Sequence, residues 1–181
     1  MIDREKCLSC VKIIHENYGN MQEHPCMKCL EEEKLSKYRT PLVCVSGGFD
    51  PPHIGHLRYI QESAKQGDVV VILNSDDWLK RKKGYVFMPF EQRKEMLEGI
   101  KGVKHVVAVD DGDNTVIKAL REIKPDFFNN GGDRVDGNTP EKEVCEALGI
   151  VMRYGVGGEN KANSSSQLVA NSWDSLLGSL G

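Results

Sequence analysis

The chain has 181 residues, of which 39% are hydrophobic and 28% are charged, and its net charge at pH 7 is -3. This size and composition predict one domain with a substantial core, plus a small additional segment. The negative net charge argues against a protein held on nucleic acid by bulk electrostatics, so we expect no nucleic-acid partner.

The N-terminal stretch "MIDREKCLSC" is polar and lacks the apolar region of a signal peptide. No run in the chain approaches the length of a membrane span. We therefore expect a cytoplasmic protein with no membrane association, whose six cysteines are kept reduced.

Four of the cysteines form two C-x-x-C pairs separated by fifteen residues: Cys7, Cys10, Cys26 and Cys29. Two such pairs in a reducing compartment predict a four-thiolate site for Zn²⁺. A closed four-cysteine shell leaves the metal no open position, so this zinc would be structural. His15 and His24 lie between the pairs and could replace one ligand. Cys44 and Cys145 fall on apolar faces and are predicted to be core residues.

Pro41 marks a boundary, which predicts a zinc-binding module over 1–40 and a second domain over 41–181. From there apolar strands and helices alternate. The strand "LVCVS" precedes a helix from His56 to Gln66, and the strand "DVVVILN" precedes the helix "PFEQRKEMLEGI", which Pro89 opens. The segments "VKHVVAV", "NTVIKALREI", "PDFFNN", "PEKEVCEALG" and "IVMRYGV" continue this alternation. Strands so apolar are expected to be buried on both faces, which predicts a doubly wound parallel α/β sheet.

The loop after the first strand, "GGFDPPHIGHL", carries two histidines, His53 and His56, at the start of the first helix. In an open parallel sheet, ligands bind beyond the carboxyl ends of the strands. Gly47 and Gly48 allow close approach of the backbone, and the positive end of the helix favours an anion. The alternative is a Gly/Pro loop with two surface histidines. The combination at this position favours a phosphate-binding site.

The motifs "GGFDPPHIGHL", "NSDDWLKRKKG", "MPFEQRKEML", "PDFFNNGGDR" and "NSSS" occur in this order. Together they resemble the HxGH nucleotidyltransferase superfamily, over about Pro41 to Leu168. The chain is most similar to the nucleotidyltransferase domain of the bifunctional enzyme that makes ADP-heptose, and next to glycerol-3-phosphate cytidylyltransferase. The resemblance implies a Rossmann-like fold and transfer of AMP or CMP from a nucleoside triphosphate to a phosphorylated sugar or alcohol, with release of pyrophosphate.

The resemblance also implies roles for single residues. The catalytic ones are His53, His56 and Lys83, with the two histidines on the α-phosphate. The nucleotide- and phosphate-binding ones are Gly47, Gly48, Phe49, Asp50, Lys80, Arg93, Gly131, Gly132, Asp133, Ser164, Ser165 and Ser166. Asp50 would shape the loop or help place Mg²⁺, which would lie between the phosphates of the nucleotide.

Simpler explanations exist for several of these residues. "KRKK" could be a solvated charge run, and Arg93 could pair with a neighbouring glutamate. An N-cap role explains one of the three serines, but not all three.

The sequence departs from the family pattern before the serines, where Ala162-Asn163 replace a glycine and an apolar residue. The arginine that cytidylyltransferases carry upstream is absent, and Lys161 is the nearest base. "NSDDWLKRKKG" and "NNGGDR" align with the ADP-heptose domain without gaps. We therefore expect ATP to be favoured over CTP.

Other interpretations of the motif stay open. The HIGH sequence also marks class I aminoacyl-tRNA synthetases, but this chain is too short for an anticodon-binding domain. Nicotinamide and pantetheine adenylyltransferases share the loop, although Gln167-Leu168 stands where they usually have an arginine. A zinc-ribbon adaptor with an inactive nucleotide-binding fold is the non-enzymatic alternative. The module over 1–40 could recruit a partner, support a homodimer or cover the acceptor site.

Overall fold

The structure is a computed structural model, and it describes residues 40–132, 139–158 and 164–178. Apart from Thr40, these residues belong to a compact unit that runs from Pro41 to Gly181. The predicted zinc-binding module lies outside the described residues and stays a prediction. No helix within the described ranges is both long enough and apolar enough to cross a bilayer.

The described part of the chain forms a five-stranded parallel sheet with the strand order β3-β2-β1-β4-β5. The strands are β1 (Leu42–Gly47), β2 (Asp68–Leu73), β3 (Val103–Ala108), β4 (Phe127–Asn129) and β5 (Val151–Arg153). The order reverses at β1, so a crevice opens beyond the carboxyl ends of β1 and β4. The predicted doubly wound, Rossmann-like α/β fold is confirmed.

Six helices of the described ranges connect and flank these strands. They are α1 (Ile54–Ala64), α2 (Asp76–Lys83), α3 (Phe90–Glu98), α4 (Ile117–Ile123), α5 (Lys142–Leu148) and α6 (Ser165–Gly178). The sequence did not predict α2. The hydroxyl of Ser75 caps its first turn by accepting from the Trp78 amide at 3.0 Å. Gly84 ends it in the left-handed conformation, at a φ of +83°.

The core lies on both faces of the sheet because neighbouring residues of a strand point to opposite sides. Val43 and Val45 of β1 pack on one face, in the cluster that contains Leu97 of α3. Cys44, between them, packs on the other face with Leu120 of α4 and Cys145 of α5. The predicted core positions of the two cysteines are confirmed. Burial raises the pKa of Cys44 to about 12 and that of Cys145 to about 11, so both are neutral thiols at physiological pH.

The expectation that the strands are buried on both faces is confirmed for β2 and is wrong for the two edge strands. Five of the six residues of β2 are buried. Lys104 and His105 of β3 are exposed, as is Val151 of β5. Edge strands have a neighbour on one side only, and polar side chains there discourage pairing with another chain.

Candidate functional site

The two histidines of the motif cap the helix that they begin. His53 is the N-cap of α1, and its Nδ1 accepts from the Gly55 amide at 3.1 Å. The Nδ1 of His56 accepts from the His53 amide at 3.3 Å, which completes a reciprocal capping box. Because both Nδ1 atoms accept, a neutral ring carries its proton on Nε2. The three-residue spacing therefore provides two N–H donors at the ring edges turned away from the helix backbone.

The rings are held together by stacking. The ring centroids of His53 and His56 are 3.8 Å apart, and their planes are 18° from parallel. Phe49 meets His56 edge-on, at 4.9 Å between centroids. The backbone of Phe49 has a φ of +47°, a conformation that residues with a side chain seldom adopt. Such strain is often found at functional sites, and here it belongs to the residue that contacts the second histidine.

Gly48 lets the histidine loop pass close to α2. A Cβ atom at Gly48 would lie 2.8 Å from a methyl carbon of Leu79 and 3.3 Å from the Trp78 ring. Leu79 is completely buried, so it has little room to move away. Gly48 therefore serves packing of the loop as well as access to the cleft.

Asp50 joins the histidine loop to the segment after α2. Its buried carboxylate accepts from the amides of Phe87 at 2.9 Å and Met88 at 2.6 Å. Its carbonyl oxygen accepts from Lys83 Nζ at 2.7 Å. Both carboxylate oxygens are thus bonded to backbone amides within the protein. Of the two roles that the family resemblance implies for Asp50, these contacts support shaping of the loop.

Arg93 lies behind the cleft rather than in it. Its side chain is completely buried, and its guanidinium donates to the carbonyls of Met88, Gly48 and Asn74 at 2.7–2.9 Å. It also forms an ion pair of 2.6 Å with Asp76. With its donors directed to protein oxygens, Arg93 ties together the segments that surround the site.

Asp111 fixes the start of α2. This buried carboxylate accepts from the amide and the hydroxyl of Ser75, both at 2.8 Å, and from the side chain of Asn74 at 3.2 Å. Arg81 of α2 donates to the Asp111 carbonyl at 2.8 Å. The orientation of α2, and with it the direction of its lysines, follows from this network.

The basic side chains of "KRKK", at the end of α2, point in different directions. Lys82 and Lys83 line the cleft, and the ammonium of Lys82 lies 4.4 Å from the centroid of the Trp78 ring. Lys80 is exposed and pairs with Asp77 at 3.2 Å. Lys82, which the sequence did not single out, is therefore placed where Lys80 was expected.

The serines lie at the start of α6, as predicted. Ser165 is buried, and its hydroxyl donates to the Pro51 carbonyl at 2.9 Å. This bond joins α6 to the histidine loop. Ser164 and Ser166 lie on either side of it and also line the cleft. The first amides of a helix have no partner within the helix, so this end can receive an anion.

The opposite wall comes from the ends of β4 and β5. Gly131 and Gly132 follow β4, and Val156, Gly157 and Gly158 follow β5. Gly157 has a φ of +89°, and a Cβ there would lie 2.7 Å from backbone atoms of Tyr59. Only glycine fits this close approach. The wall is therefore mainly backbone, which suits a flat ligand that needs close contact.

These walls enclose a cleft of about 280 Å³. Ten of the predicted site residues line it: Gly48, Phe49, His53, His56, Lys83, Gly131, Gly132, Ser164, Ser165 and Ser166. Within the described part of the chain, Gly47, Asp50, Lys80 and Arg93 do not. Asp133 and the four predicted zinc ligands lie outside the described residues.

The sequence reasoning missed several residues of the lining: Gly55, Tyr59, Trp78, Lys82, Val156, Gly157 and Gly158. The pair Gly157-Gly158 carried a usable signal, because it follows a predicted strand as Gly131-Gly132 do. Tyr59 carried none, since its position in the sequence is typical of a core residue of α1. In the structure its hydroxyl donates to the Asn129 carbonyl at the end of β4.

The sequence is similar to those of known proteins. The profile of the cytidylyltransferase-like family matches residues 44–167. The chain is 30% identical over 149 residues to the bifunctional protein HldE of Helicobacter hepaticus, an alignment covering 78% of this chain and 30% of that protein. It is 40% identical over 103 residues to the FAD synthase of Methanospirillum hungatei, covering 56% of this chain and 65% of that one. The chain thus spans less than two thirds of each of these relatives.

A solved structure shows the same fold. The crystal structure of the lipopolysaccharide core biosynthesis protein from Thermoplasma volcanium matches with a TM-score of 0.53 and 26% identity. The match covers 64% of this chain and 95% of that chain. The family profile begins within β1 and extends over the histidine loop and the other four described strands to the beginning of α6. The chain therefore belongs to the cytidylyltransferase-like family of nucleotidyltransferases.

Proposed function

We propose that the chain transfers a nucleotidyl group from a nucleoside triphosphate, with ATP favoured over CTP, to a phosphorylated sugar or alcohol. An oxygen of the acceptor phosphate attacks the α-phosphorus, the bond to the β-phosphate oxygen breaks, and pyrophosphate leaves with the electron pair. The observation that carries the proposal is the convergence of two histidines, two lysines and a helix N-terminus on one cleft.

Each of these groups suits the charge that develops at a phosphorus centre under attack. The Nε2–H groups of His53 and His56 would donate to the α-phosphate oxygens. The ammonium groups of Lys82 and Lys83 would neutralise charge on the phosphates of both substrates. The start of α6 would receive the β- and γ-phosphates. Preorganised donors of this kind lower the barrier because they are in place before the charge appears.

The described part of the chain contains no set of protein ligands that would by itself hold the proposed Mg²⁺. No group of three or more His, Cys, Asp or Glu side chains there could hold a metal ion. Asp50 does not fit as a direct ligand, because it is completely buried and does not line the cleft. The residues present fit an ion carried mainly by the nucleotide phosphates and water, as is usual for Mg²⁺.

The preference for ATP rests on indirect support. The name of one relative, FAD synthase, denotes a product that contains an adenine nucleotide. The backbone wall formed by Gly131, Gly132 and Gly157 can receive a flat base without reading its edge through a side chain. Gln167, which stands where nicotinamide and pantetheine adenylyltransferases usually have an arginine, is exposed and bonds to Asn171 at 2.7 Å. Because Gln167 bonds to its own helix, it gives no support for assigning the activity of nicotinamide or pantetheine adenylyltransferases to this chain.

We also propose a structural zinc bound by Cys7, Cys10, Cys26 and Cys29. Its support is the spacing of these cysteines in the sequence. A cytoplasmic location and a homodimer likewise stay predictions.

The test is release of pyrophosphate by the full chain. Each of the four nucleoside triphosphates, with Mg²⁺, is incubated with a panel of phosphorylated sugars and alcohols, and pyrophosphate is measured through coupled inorganic pyrophosphatase. We expect release that needs both ATP and an acceptor. For substitutions of the cleft histidines, the matched control is His105→Asn, because His105 is an exposed histidine on β3, away from the cleft. Absence of release with every pair of substrates would overturn the proposed activity.

A further inference from the structure

A second concavity adjoins the cleft. It lies between the segment after α2 and the exposed side of α6, and its volume is about 790 Å³. Lys82, Lys83 and Ser166 line both the cleft and this groove. Beyond them the lining is mostly apolar, with Phe87 on one wall and Trp173 on the other, and Tyr85 and Ser172 contribute hydroxyl groups.

Both walls of the groove are tied to the histidine loop. The carboxylate of Asp50 accepts from the amides of Phe87 and Met88, which holds the first wall. The hydroxyl of Ser165 donates to the Pro51 carbonyl, which holds the start of the second. A groove whose walls are anchored to the reacting centre is largely preformed, and a ligand in it would be aligned with the cleft.

The chemistry of the groove is uneven along its length. The end next to the cleft carries two ammonium groups, which suit a phosphate. The far end carries two large aromatic side chains that are unusually exposed, Phe87 at 57% and Trp173 at 62%. The hydroxyl of Ser172, which also lines the groove, donates to the Leu168 carbonyl at 2.9 Å, so its proton is already used within α6.

We propose that this groove holds the organic part of the phosphorylated acceptor, and that this part contains a flat aromatic system. The inference rests on the proposed function, because it assigns the acceptor of that reaction. The acceptor phosphate lies by Lys82 and Lys83, from where one of its oxygens forms the new bond to the α-phosphorus as pyrophosphate departs. The aromatic body lies between Phe87 and Trp173.

A polyhydroxylated acceptor fits this groove less well. Each of its hydroxyl groups would leave water and need a new partner, whereas the far end offers mainly hydrocarbon surface. A flat ring system loses little on leaving water and gains contact with aromatic faces. The groove therefore selects among phosphate esters by the body that carries the phosphate.

The test compares two kinds of phosphate ester with the full chain. Flavin mononucleotide and 1-naphthyl phosphate are the aromatic probes, and glycerol 3-phosphate and glucose 1-phosphate are the polyhydroxylated ones. Binding is followed by quenching of tryptophan fluorescence, and transfer by ATP-dependent pyrophosphate release. We expect saturable quenching by the aromatic probes alone, and a lower KM for at least one of them.

Two substitutions examine the groove itself. Trp173→Ala and Phe87→Ala should each raise the KM for the aromatic probe about tenfold, with kcat at saturation and ATP affinity nearly unchanged. In Trp173→Ala, binding is measured by calorimetry. The control is Met96→Ala, which removes a similarly exposed apolar side chain from α3.

The outcomes separate this inference from the proposed function. Transfer to the polyhydroxylated esters, with no binding of the aromatic ones, would overturn the aromatic acceptor and leave the nucleotidyl transfer standing. Binding of an aromatic ester that is lost in Trp173→Ala, without pyrophosphate release for any substrate, would support the groove and overturn the reaction. A dimer that dissociates in Trp173→Ala, with binding of the esters unchanged, would overturn the inference by assigning the groove to a second copy.

Discussion

The guanidinium of Arg93 donates to the carbonyl oxygen of Gly48 at 2.7 Å from a position completely shielded from solvent. Because Gly48 lies in the histidine loop and Arg93 on α3, the bond makes the geometry of the cleft depend on a helix that does not line it. Arg93 is therefore a positioning residue. The family resemblance implied direct phosphate binding by this arginine, a contact that its burial does not support.

The first prediction follows from that bond. Arg93→Lys keeps the charge but loses the planar fork that reaches three carbonyls and Asp76 together. We expect the free energy of unfolding to fall by about 3 kcal/mol, measured by urea denaturation. The matched control is Lys94→Gln at the next position, which breaks only a partly exposed pair with Glu98 and should change the free energy of unfolding far less. Equal stability of the two variants would contradict the positioning role.

The second prediction separates the two tasks of the histidines. His53→Ala or His56→Ala should lower turnover about a hundredfold or more by removing a donor to the developing charge. Each should also destabilise α1 by about 1 kcal/mol, because a helix cap is lost. His53→Asn and His56→Gln keep an acceptor suited to the capping box but lack an imidazole Nε2–H. We expect these variants to recover stability in thermal unfolding while turnover stays low. Near-normal turnover in all four variants would show that the site is misassigned.

Most of the fold could be predicted because periodic apolar segments bounded by proline and glycine carry the signal. The helix α2 could not, since "DDWLKRKK" buries only Trp78 and Leu79 and has no apolar stripe of helical period. Without that helix, the sequence did not indicate which of the lysine side chains point towards the cleft. Residues two apart on a helix point in different directions, which is why Lys82 and not Lys80 lines the cleft with Lys83.

The candidate site, like the fold, was predictable only in part. Its chemically reactive side chains stood in short motifs, so His53, His56 and Lys83 could be named from the sequence. Whether an arginine is buried depends on which elements pack around it, and that is a property of the assembled sheet. Arg93 and Asp50 therefore needed the structure to reveal that their polar groups bond to the protein.

A third prediction concerns the core thiols. With the pKa of Cys44 raised to about 12 by burial, about one molecule in ten thousand carries its thiolate at pH 8. With the pKa of Cys145 raised to about 11, the fraction is about one in a thousand. Iodoacetamide should leave both residues unmodified in the native protein at pH 8 and alkylate both in concentrated guanidinium, as read by peptide mass spectrometry. Rapid native-state labelling of Cys145 would show that the contact between α5 and β1 opens readily.

The fourth prediction concerns the metal. We expect about one zinc per chain, bound by Cys7, Cys10, Cys26 and Cys29, in metal analysis of the purified protein. Deletion of the segment before Pro41 should preserve a cooperative unfolding transition, because the described residues of both core clusters follow it. Native protein without metal would end the zinc hypothesis. Loss of the transition in the shortened chain would instead contradict the division at Pro41.

The last prediction concerns the nucleotide. Cytidylyltransferases are expected to carry an arginine upstream of the late serines, and Lys161 cannot reproduce its bidentate grip. The wall of Gly131, Gly132 and Gly157 contributes backbone that does not exclude a purine. A ligand that binds only the folded state raises stability by an amount that grows with its affinity. If ATP binds about tenfold more tightly than CTP, equal saturating concentrations differ by about 1.4 kcal/mol in stabilisation.

Thermal unfolding with each nucleotide at the same concentration, with and without Mg²⁺, measures this difference. We expect the largest rise in Tm with ATP and Mg²⁺, and a smaller rise when the metal is withheld, because the phosphates then keep their mutual repulsion. His105→Asn, an exposed change on β3, should reproduce the wild-type shifts. A larger rise with CTP than with ATP, accompanied by CTP-dependent pyrophosphate release, would reverse the assignment. The chain would then be a cytidylyltransferase whose late serines bind the triphosphate without the usual arginine.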